Sequence, residues 1–375
     1  PPMSSTPLVI AVDSSTTSTK AIIVEADGTV VAEGRSDLVM QTPRVDFYEQ
    51  DPRDWWRTTN EAIRAAVAQL AADQRGRISH VCCTIQRQSF ALVDESGEPL
   101  RPGILWLDGR APDQVRRLGS EYVHQLSGFQ PDVTPSFYKI AWLRDHEPEL
   151  LERAAKVTGV HGYLVHAMTG RWIDSRGAAD SLGLFDMSTQ EWSDELLGMV
   201  GVRRDQVAEL VDQVSVIDTV LPEISQGWGL EQSVELVASC GDGQAAALGA
   251  GAIGPDEAYL NMGTALVAGV HSSSYEYADV FRTDAGGFPG HYVLEIVQNS
   301  GAYLAGWFRE KLGRPELEGR PDPDLEKAAA AVPAGCGGLV TLPYWNAVQS
   351  PHWDPIAHGA IVGLAGVHDL SLIHI

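Results

Sequence analysis

Cysteine is scarce in this chain: four of 375 residues, at Cys82, Cys83, Cys240 and Cys336. They are too few and too scattered for a disulfide scaffold or a CxxC zinc site, which fits a reducing cytoplasm. Long apolar runs are missing too. No stretch reaches the ~18 consecutive apolar residues of a membrane span, and Pro1–Pro7 has neither the basic nor the apolar region of a signal peptide. Positive charge is the third shortage. Against 50 Asp+Glu stand 27 Lys+Arg, a formal net charge of −23. That balance argues against nucleic acid and anionic membranes as partners. It leaves a homo-oligomer open, and it is compatible with a phosphate ligand, because backbone N–H groups and a bound cation can hold an anion locally.

Of two familiar nucleotide signatures, one is lacking and the other lacks its structural context. There is no GxxxxGK[ST], which excludes a P-loop protein. A GxGxxG does occur at Gly249–Gly254, but it follows the helix-like run Ala245–Leu248 and precedes Pro255, whereas a dinucleotide site needs a strand before and a helix after. Close helix packing is the expected role. His161 and His166 have no evident third ligand and read as structural histidines. The tryptophans Trp55, Trp56, Trp345 and Trp353 read as packing residues.

What is present reads as an α/β fold of ordinary composition, long enough for about two domains. Leu8–Val12, Lys20–Glu25 and Thr29–Glu33 predict an antiparallel meander, its second turn marked by Asp27-Gly28. Asp51-Pro52 predicts an N-cap and first helical residue. Trp56, Thr59, Ile63, Val67 and Leu70 then recur at helical spacing over about five turns. Ile78–Ile85 predicts the next strand, and Phe90–Val93 and Ile104–Leu107 continue the same sheet. Lys139–Met168 and Thr189–Ser225 read as mostly helical. A second block begins with strands at Tyr259–Met262 and Ala265–Val270 around a Gly263-Thr264 turn, then a strand at Val293–Val297 and a helix at Ala302–Leu312. The boundary between the halves falls near Gly254-Pro255.

Three segments carry chemistry. Asp13 ends a buried strand and runs into Ser14, Ser15, Thr16, Thr17 and Ser18, an expensive set of polar groups at a sheet end unless a ligand uses them. Asp242, between Gly241 and Gly243, is either a plain N-cap or a general base held at a cleft. Gln86-Arg87-Gln88 and Trp106-Leu107-Asp108-Gly109-Arg110 combine amide, guanidinium, carboxylate and indole at strand ends. That mixture is either a surface ion-pair cluster or a polyol site, where hydroxyls take the polar groups and an indole covers the C–H face.

In this order, and with Lys139-Ile140-Ala141-Trp142-Leu143, Asn261-Met262-Gly263-Thr264 and Ser350–Pro355 leading to Gly359–Leu364, the segments resemble the FGGY carbohydrate kinase family. The resemblance runs from Leu8 to about His368. It implies two actin-like (ribonuclease H-like) domains with mixed sheets flanked by helices, residues 8–253 and a partial 254–370, with the site in the cleft between them. It implies transfer of the γ-phosphate of ATP, with Mg²⁺, to a hydroxyl of a sugar or polyol. Asp242 then looks like the general base, and Asp13 like the carboxylate facing the metal and phosphates. Ser15, Thr16, Thr17 and Lys20 match the first phosphate hairpin; Gly263, Thr264 and Gly301 match the second. Arg87, Gln88, Trp106, Asp108 and Gly243 fall on substrate positions.

Four departures stand out. Ser15 replaces a usual glycine, which puts a left-handed turn there in question. Gln88, Thr134 and Gly243 differ from the glycerol-specific pattern, and two of these changes remove volume beside Asp242. They point to a ketopentose, ketohexose or longer polyol. A non-catalytic sugar or nucleotide sensor on the same fold is the alternative, but it has no use for both Asp13 and Asp242. A structural or chaperone-like ATPase gives no reason for Arg87 and Trp106. Pro1 and Pro2 ahead of Met3 read as sequence before a true start. Residues 371–375 do not resemble the family's continuation, so a C-terminally truncated chain that binds ATP poorly is expected.

Overall fold

A computed structural model describes residues 6–254, 256–263, 265–313, 322–345, 347–354, 356–366 and 368. The chain divides into two compact units. The first comprises Pro1–Pro255, His271–Tyr277 and Thr283–Val293; the second comprises Asp256–Val270, Ala278–Arg282 and Leu294–Ile375. Thr264, Pro355 and the segment 371–375, all named above, lie outside the described residues.

The first unit opens with the expected meander: β1 (Leu8–Ser14), β2 (Ser18–Val24) and β3 (Val30–Asp37), each antiparallel to the next. Leu8, Ile10 and Val12 alternate into the core, as a strand's period of two requires. Gly28 supplies the positive φ, +87°, that closes the second hairpin.

After β4 (Gln41–Arg44) and β5 (Phe47–Gln50), Asp51 caps helix α1 (Pro52–Val67), its carboxylate accepting the Arg53 N–H at 3.0 Å. The buried face of α1 is led by Trp55, with Thr59, Ile63 and Val67 below it; Trp56 is only partly buried, and Leu70 lies beyond the helix end. The helix presses directly on β3. A Cβ built on Gly34 would stand 2.1 Å from the Ala62 carbonyl oxygen. The chain returns through β6 (Ile78–Ile85), parallel to β1. The full six-stranded order is β3-β2-β1-β6, then Glu235–Val237, then Val216–Thr219.

Phe90–Val93 and Ile104 do not continue this sheet. The chain leaves it at Gln86–Ser89, where Gln88 takes a φ of +59°. β7 (Phe90–Val93), β8 (Gly103–Ile104) and β9 (Lys156–Gly159) join β4 and β5 in a separate five-stranded sheet, ordered β4-β5-β8-β7-β9. The expected helical region Lys139–Met168 is therefore three helices, Ser136–His146, Pro148–Arg153 and Val160–Thr169, interrupted by a strand. Likewise Thr189–Ser225 holds the helices Asp194–Val200 and Pro222–Gly227 among the short strands Glu191–Trp192, Glu209–Val211 and Val216–Thr219, where β-branched residues gather.

The first two glycines of the Gly249–Gly254 motif are not held by close helix packing. A Cβ at Gly249 or Gly251 would meet open space, and Gly251, at φ +77°, ends the helix Asp242–Gly249 in a Schellman turn closed by Ala252 N–H to Ala247 O at 3.0 Å.

Further along, Ala258–Met262 pairs antiparallel with Leu266–Ser272, so that Met262 stands opposite Leu266 where the tight turn was expected. The sheet order continues through Tyr292–Gln298 to Arg282–Ala285, the last a strand that the sequence pattern did not suggest. The helices Ala302–Lys311 and Pro323–Ala330 and the paired strands Val340–Leu342 and Ala360–Val362 follow.

Candidate active site

Asp13 sits near the end of β1, opposite Lys20 on β2 and Thr84 on β6. Solvent reaches its carboxylate, yet enough protein surrounds it that desolvation raises its pKa, with the Lys20 charge opposing. The following turn closes on Ser18, whose carbonyl oxygen accepts from both the Ser15 N–H (3.1 Å) and Ser15 Oγ (2.8 Å). Ser15 needs no positive φ to do this. With no left-handed backbone at this position, a residue with a side chain fits it without strain.

Asp242 begins one strand further along. Thr84 Oγ1 donates to the Cys240 carbonyl oxygen at 2.9 Å, and Ile85 bridges Gly241 in parallel register. Gly241 is the N-cap, so Asp242 is the first residue of its helix and not the cap. Its carboxylate is exposed and accepts the Gly243 N–H at 2.9 Å. Asp13 and Asp242 therefore stand at the C-terminal ends of two segments that flank β6, each parallel to it, the edge of an α/β sheet where ligands ordinarily bind.

Arg87 lies against this turn: a Cβ on Gly241 would fall 2.5 Å from its Cγ and Cδ. Its guanidinium is not presented as an open binding group. The terminal nitrogens hold Asp180 at 3.0 and 2.9 Å and Asp284 at 2.8 Å, all deep in the protein. Burial raises the Asp180 pKa, and Arg87 opposes that rise.

Gln88 is buried. Its carbonyl oxygen accepts from Ser136 Oγ at 2.9 Å and Lys139 Nζ at 3.2 Å. Asp108 is also fully buried and turns away from ligand chemistry. It accepts the Tyr48 N–H at 2.7 Å and Arg110 Nε and Nη2 at 2.8 Å, and so clamps its own loop. Trp106, by contrast, exposes its indole and donates Nε1–H to Thr16 Oγ1 at 2.9 Å, which joins its loop to the hydroxyl-rich turn after β1.

Sequence reasoning assigned no role to Lys139, Asp180, Asp284 or Gln50. Lys139 is wholly buried, and its three N–H donors are shared among four carbonyl oxygens within reach, those of Gln88 (3.2 Å), Leu105 (3.0 Å), Trp106 (3.2 Å) and Thr134 (2.6 Å). Burial pulls its pKa down to about 7. The one available signal was a lysine within an otherwise apolar helical segment, Phe137–Leu143. The two aspartates carry no local signal at all.

In the second unit the Gly263 carbonyl oxygen accepts the Ala302 N–H at 2.9 Å, and a Cβ on Gly301 would meet the Ala265 carbonyl carbon at 2.8 Å. The hairpin turn thus abuts the N-terminus of Ala302–Lys311, where backbone N–H groups favour an anion.

His161 Nδ1 pairs with Asp174 at 2.7 Å, and His166 stacks on Trp172. Among the described residues no three His, Cys, Asp or Glu side chains gather as a metal cage. The nearest fit to a cation is Asp13, a desolvated carboxylate beside a hydroxyl-rich turn, and Mg²⁺ is ordinarily held by one or two carboxylates together with substrate phosphates.

Comparison with known proteins yields two family-model matches: the N-terminal domain of the FGGY family of carbohydrate kinases over residues 8–249, and its C-terminal domain over residues 258–374. The chain is similar to the xylulose kinase of Escherichia coli K12 (28% identity over 365 residues, 96% of this chain and 74% of that protein). It is also similar to the glycerol kinase of Pseudarthrobacter chlorophenolicus (31% identity over 381 residues, 95% of this chain and 72% of that protein). Among solved structures, ligand-bound xylulose kinase from Lactobacillus acidophilus superposes with a TM-score of 0.91 at 23% identity, covering 98% of this chain and 74% of that one. Xylulose kinase from Rhodospirillum rubrum gives 0.90 at 27% identity, covering 98% and 75%.

Proposed function

The chain belongs to the FGGY family of carbohydrate kinases, phosphotransferases with an alcohol group as acceptor, and from that premise we propose that it uses ATP to phosphorylate a ketose or longer polyol in preference to glycerol, with Asp242 as general base. The observation that carries this reading is the pair of exposed carboxylates, Asp13 and Asp242, at the C-terminal ends of the two strands that flank β6, with the exposed Trp106 indole bonded to Thr16 in the turn after Asp13.

Phosphoryl transfer needs positioning and charge neutralisation more than covalent chemistry. Asp242 accepts the proton of the acceptor hydroxyl. The hydroxyls and N–H groups of Ser15, Thr16 and Thr17 cradle phosphate oxygens, with Lys20 adding positive charge nearby. Gly263, Thr264 and Gly301 serve the nucleotide in their own unit. Asp13 would hold the Mg²⁺ that accompanies ATP, and that ion would neutralise phosphate charge. Trp106 covers the C–H face of the sugar. Arg87 supports the turn that presents Asp242, and Gln88 lines the acceptor side.

The preference for a larger acceptor rests on Gly243 and Thr134. Gly243 places no side chain beside Asp242, and Thr134 is turned toward Asp132, with Oγ1 donating at 2.6 Å. Kinases named for xylulose and gluconate among the relatives support the same class.

The experiment is a panel of D-xylulose, D-ribulose, D-gluconate and glycerol with ATP and Mg²⁺. A ketose is expected to give the highest kcat/KM, and glycerol ranking first overturns the substrate assignment. Asp242→Ala is expected to keep nucleotide binding and lose about 10²–10⁴-fold in kcat; near-normal turnover removes Asp242 as the base.

A further inference from the structure

A closed ring of five hydrogen bonds runs beneath the proposed site. Trp106 Nε1 donates to Thr16 Oγ1 at 2.9 Å. The Trp106 N–H donates to Ser89 Oγ at 3.0 Å, and Ser89 Oγ donates to Gln86 Oε1 at 3.0 Å. Gln86 Nε2 donates to Gln50 Oε1 at 3.2 Å, and Gln50 Nε2 closes the ring on the Thr16 carbonyl oxygen at 2.6 Å. Trp55 Nε1 adds a second donor to Gln50 Oε1 at 3.0 Å.

The middle members are wholly enclosed: Gln50, Gln86 and Ser89 are 0%, 2% and 1% exposed. The two ends, Thr16 and Trp106, reach solvent. Burying three polar side chains is costly unless each is satisfied, and a satisfied network is stiff. The ring gathers residues from four places in the sequence: the β1–β2 turn, the end of β5, the chain after β6 and the chain after β8.

We propose that this ring couples the two substrates, with Gln50 as its positioning residue, so that acceptor and MgATP each strengthen the binding of the other. The proposal rests on the reading of Trp106 as acceptor-side and Thr16 as phosphate-side. The direction of the bonds supplies the mechanism. An indole N–H can only donate, so Thr16 Oγ1 acts as acceptor toward Trp106 and its own proton points elsewhere, available to a phosphate oxygen. A sugar seated on the indole fixes the Trp106 rotamer and thereby aims the Thr16 hydroxyl. A phosphate that fixes Thr16 fixes Trp106 in return. By linkage the two effects are equal. Gln50 ties the backbone of the same threonine to the interior, so the hairpin cannot drift from the indole.

The test measures the affinity of the Mg²⁺ complex of the β,γ-imido ATP analogue with and without saturating D-xylulose. Wild type, Trp106→Phe and Gln50→Met are compared. Trp106→Phe keeps a smaller aromatic face and loses the N–H donor; Gln50→Met keeps most of the volume and loses all three amide hydrogen bonds, those with Thr16, Gln86 and Trp55. The wild type is expected to show a coupling factor of roughly 5–150, and both variants a factor close to 1 whatever their separate affinities. Should Gln50→Met fail to fold, Trp106→Phe alone decides. A wild-type factor of 1 with both ligands bound, or full coupling retained in Trp106→Phe, overturns the ring as the coupling element. Failure of the wild type to bind either ligand overturns the reading of the site itself and the coupling with it.

Discussion

Arg87 grips Asp180 with both terminal nitrogens, at 3.0 and 2.9 Å, although 93 residues separate them in the sequence. The same guanidinium reaches Asp284, 197 residues away, at 2.8 Å. Asp180→Ala leaves Arg87 paired with Asp284 but removes the two-pronged contact and the acceptor of the Ala285 N–H, so it is expected to cost about 1–3 kcal/mol. At about 2–4 °C per kcal/mol for a unit of this size, calorimetry should show a melting point lower by roughly 2–12 °C. An unchanged melting point removes this pair from the supports of the fold.

Lys139 makes stability depend on pH. Its pKa is pulled down to about 7 by burial, while in the unfolded chain a lysine titrates near ~10.4. Between those values the unfolded state holds a proton that the folded state has released. This group therefore makes stability rise with pH across that window, and its cost is greatest below pH ~7. Lys139→Met is expected to flatten the slope of melting temperature between pH 7 and 9. It should also lower stability by about 1–3 kcal/mol through the carbonyl oxygens left without a donor. Parallel curves for wild type and variant would show that Lys139 stays protonated throughout.

Asp13 gives a kinetic counterpart. Desolvation raises its pKa and Lys20 restrains the rise. With Asp13 required as a carboxylate, Lys20→Met is expected to move the acid limb of kcat/KM to higher pH. The measurement is the pH–rate profile of both proteins, and an acid limb that stays put or moves down separates Asp13 from that limb.

The contact of α1 with β3 predicts a purely steric defect. A Cβ at Gly34 would lie 2.1 Å from the Ala62 carbonyl oxygen and 2.7 Å from the Ala66 nitrogen, both backbone atoms. Gly34→Ala is expected to lose about 1–3 kcal/mol through overpacking, read as a lower denaturant midpoint with an unchanged slope. A midpoint equal to wild type would show that helix and strand part easily.

Short-range signals carried a large share of the reading. The β1–β2–β3 meander, the Asp51 cap of α1, the strand Ile78–Ile85 and the positions of Asp13 and Asp242 at turns all follow from periodicity and capping over a few residues. Those signals depend on neighbours a turn or a hairpin away, so the sequence determines them by itself. Only the tertiary structure decided which sheet Phe90–Val93 joins, because either sheet satisfies the same apolar pattern. Tertiary structure also decided that Arg87 and Asp108 spend their charge on buried partners while Trp106 stays exposed. An arginine beside a strand looks the same in sequence whether its carboxylate partner comes from a ligand or from a residue 93 positions on. The difference lies in desolvation and long-range pairing, which exist only once the chain has closed on itself.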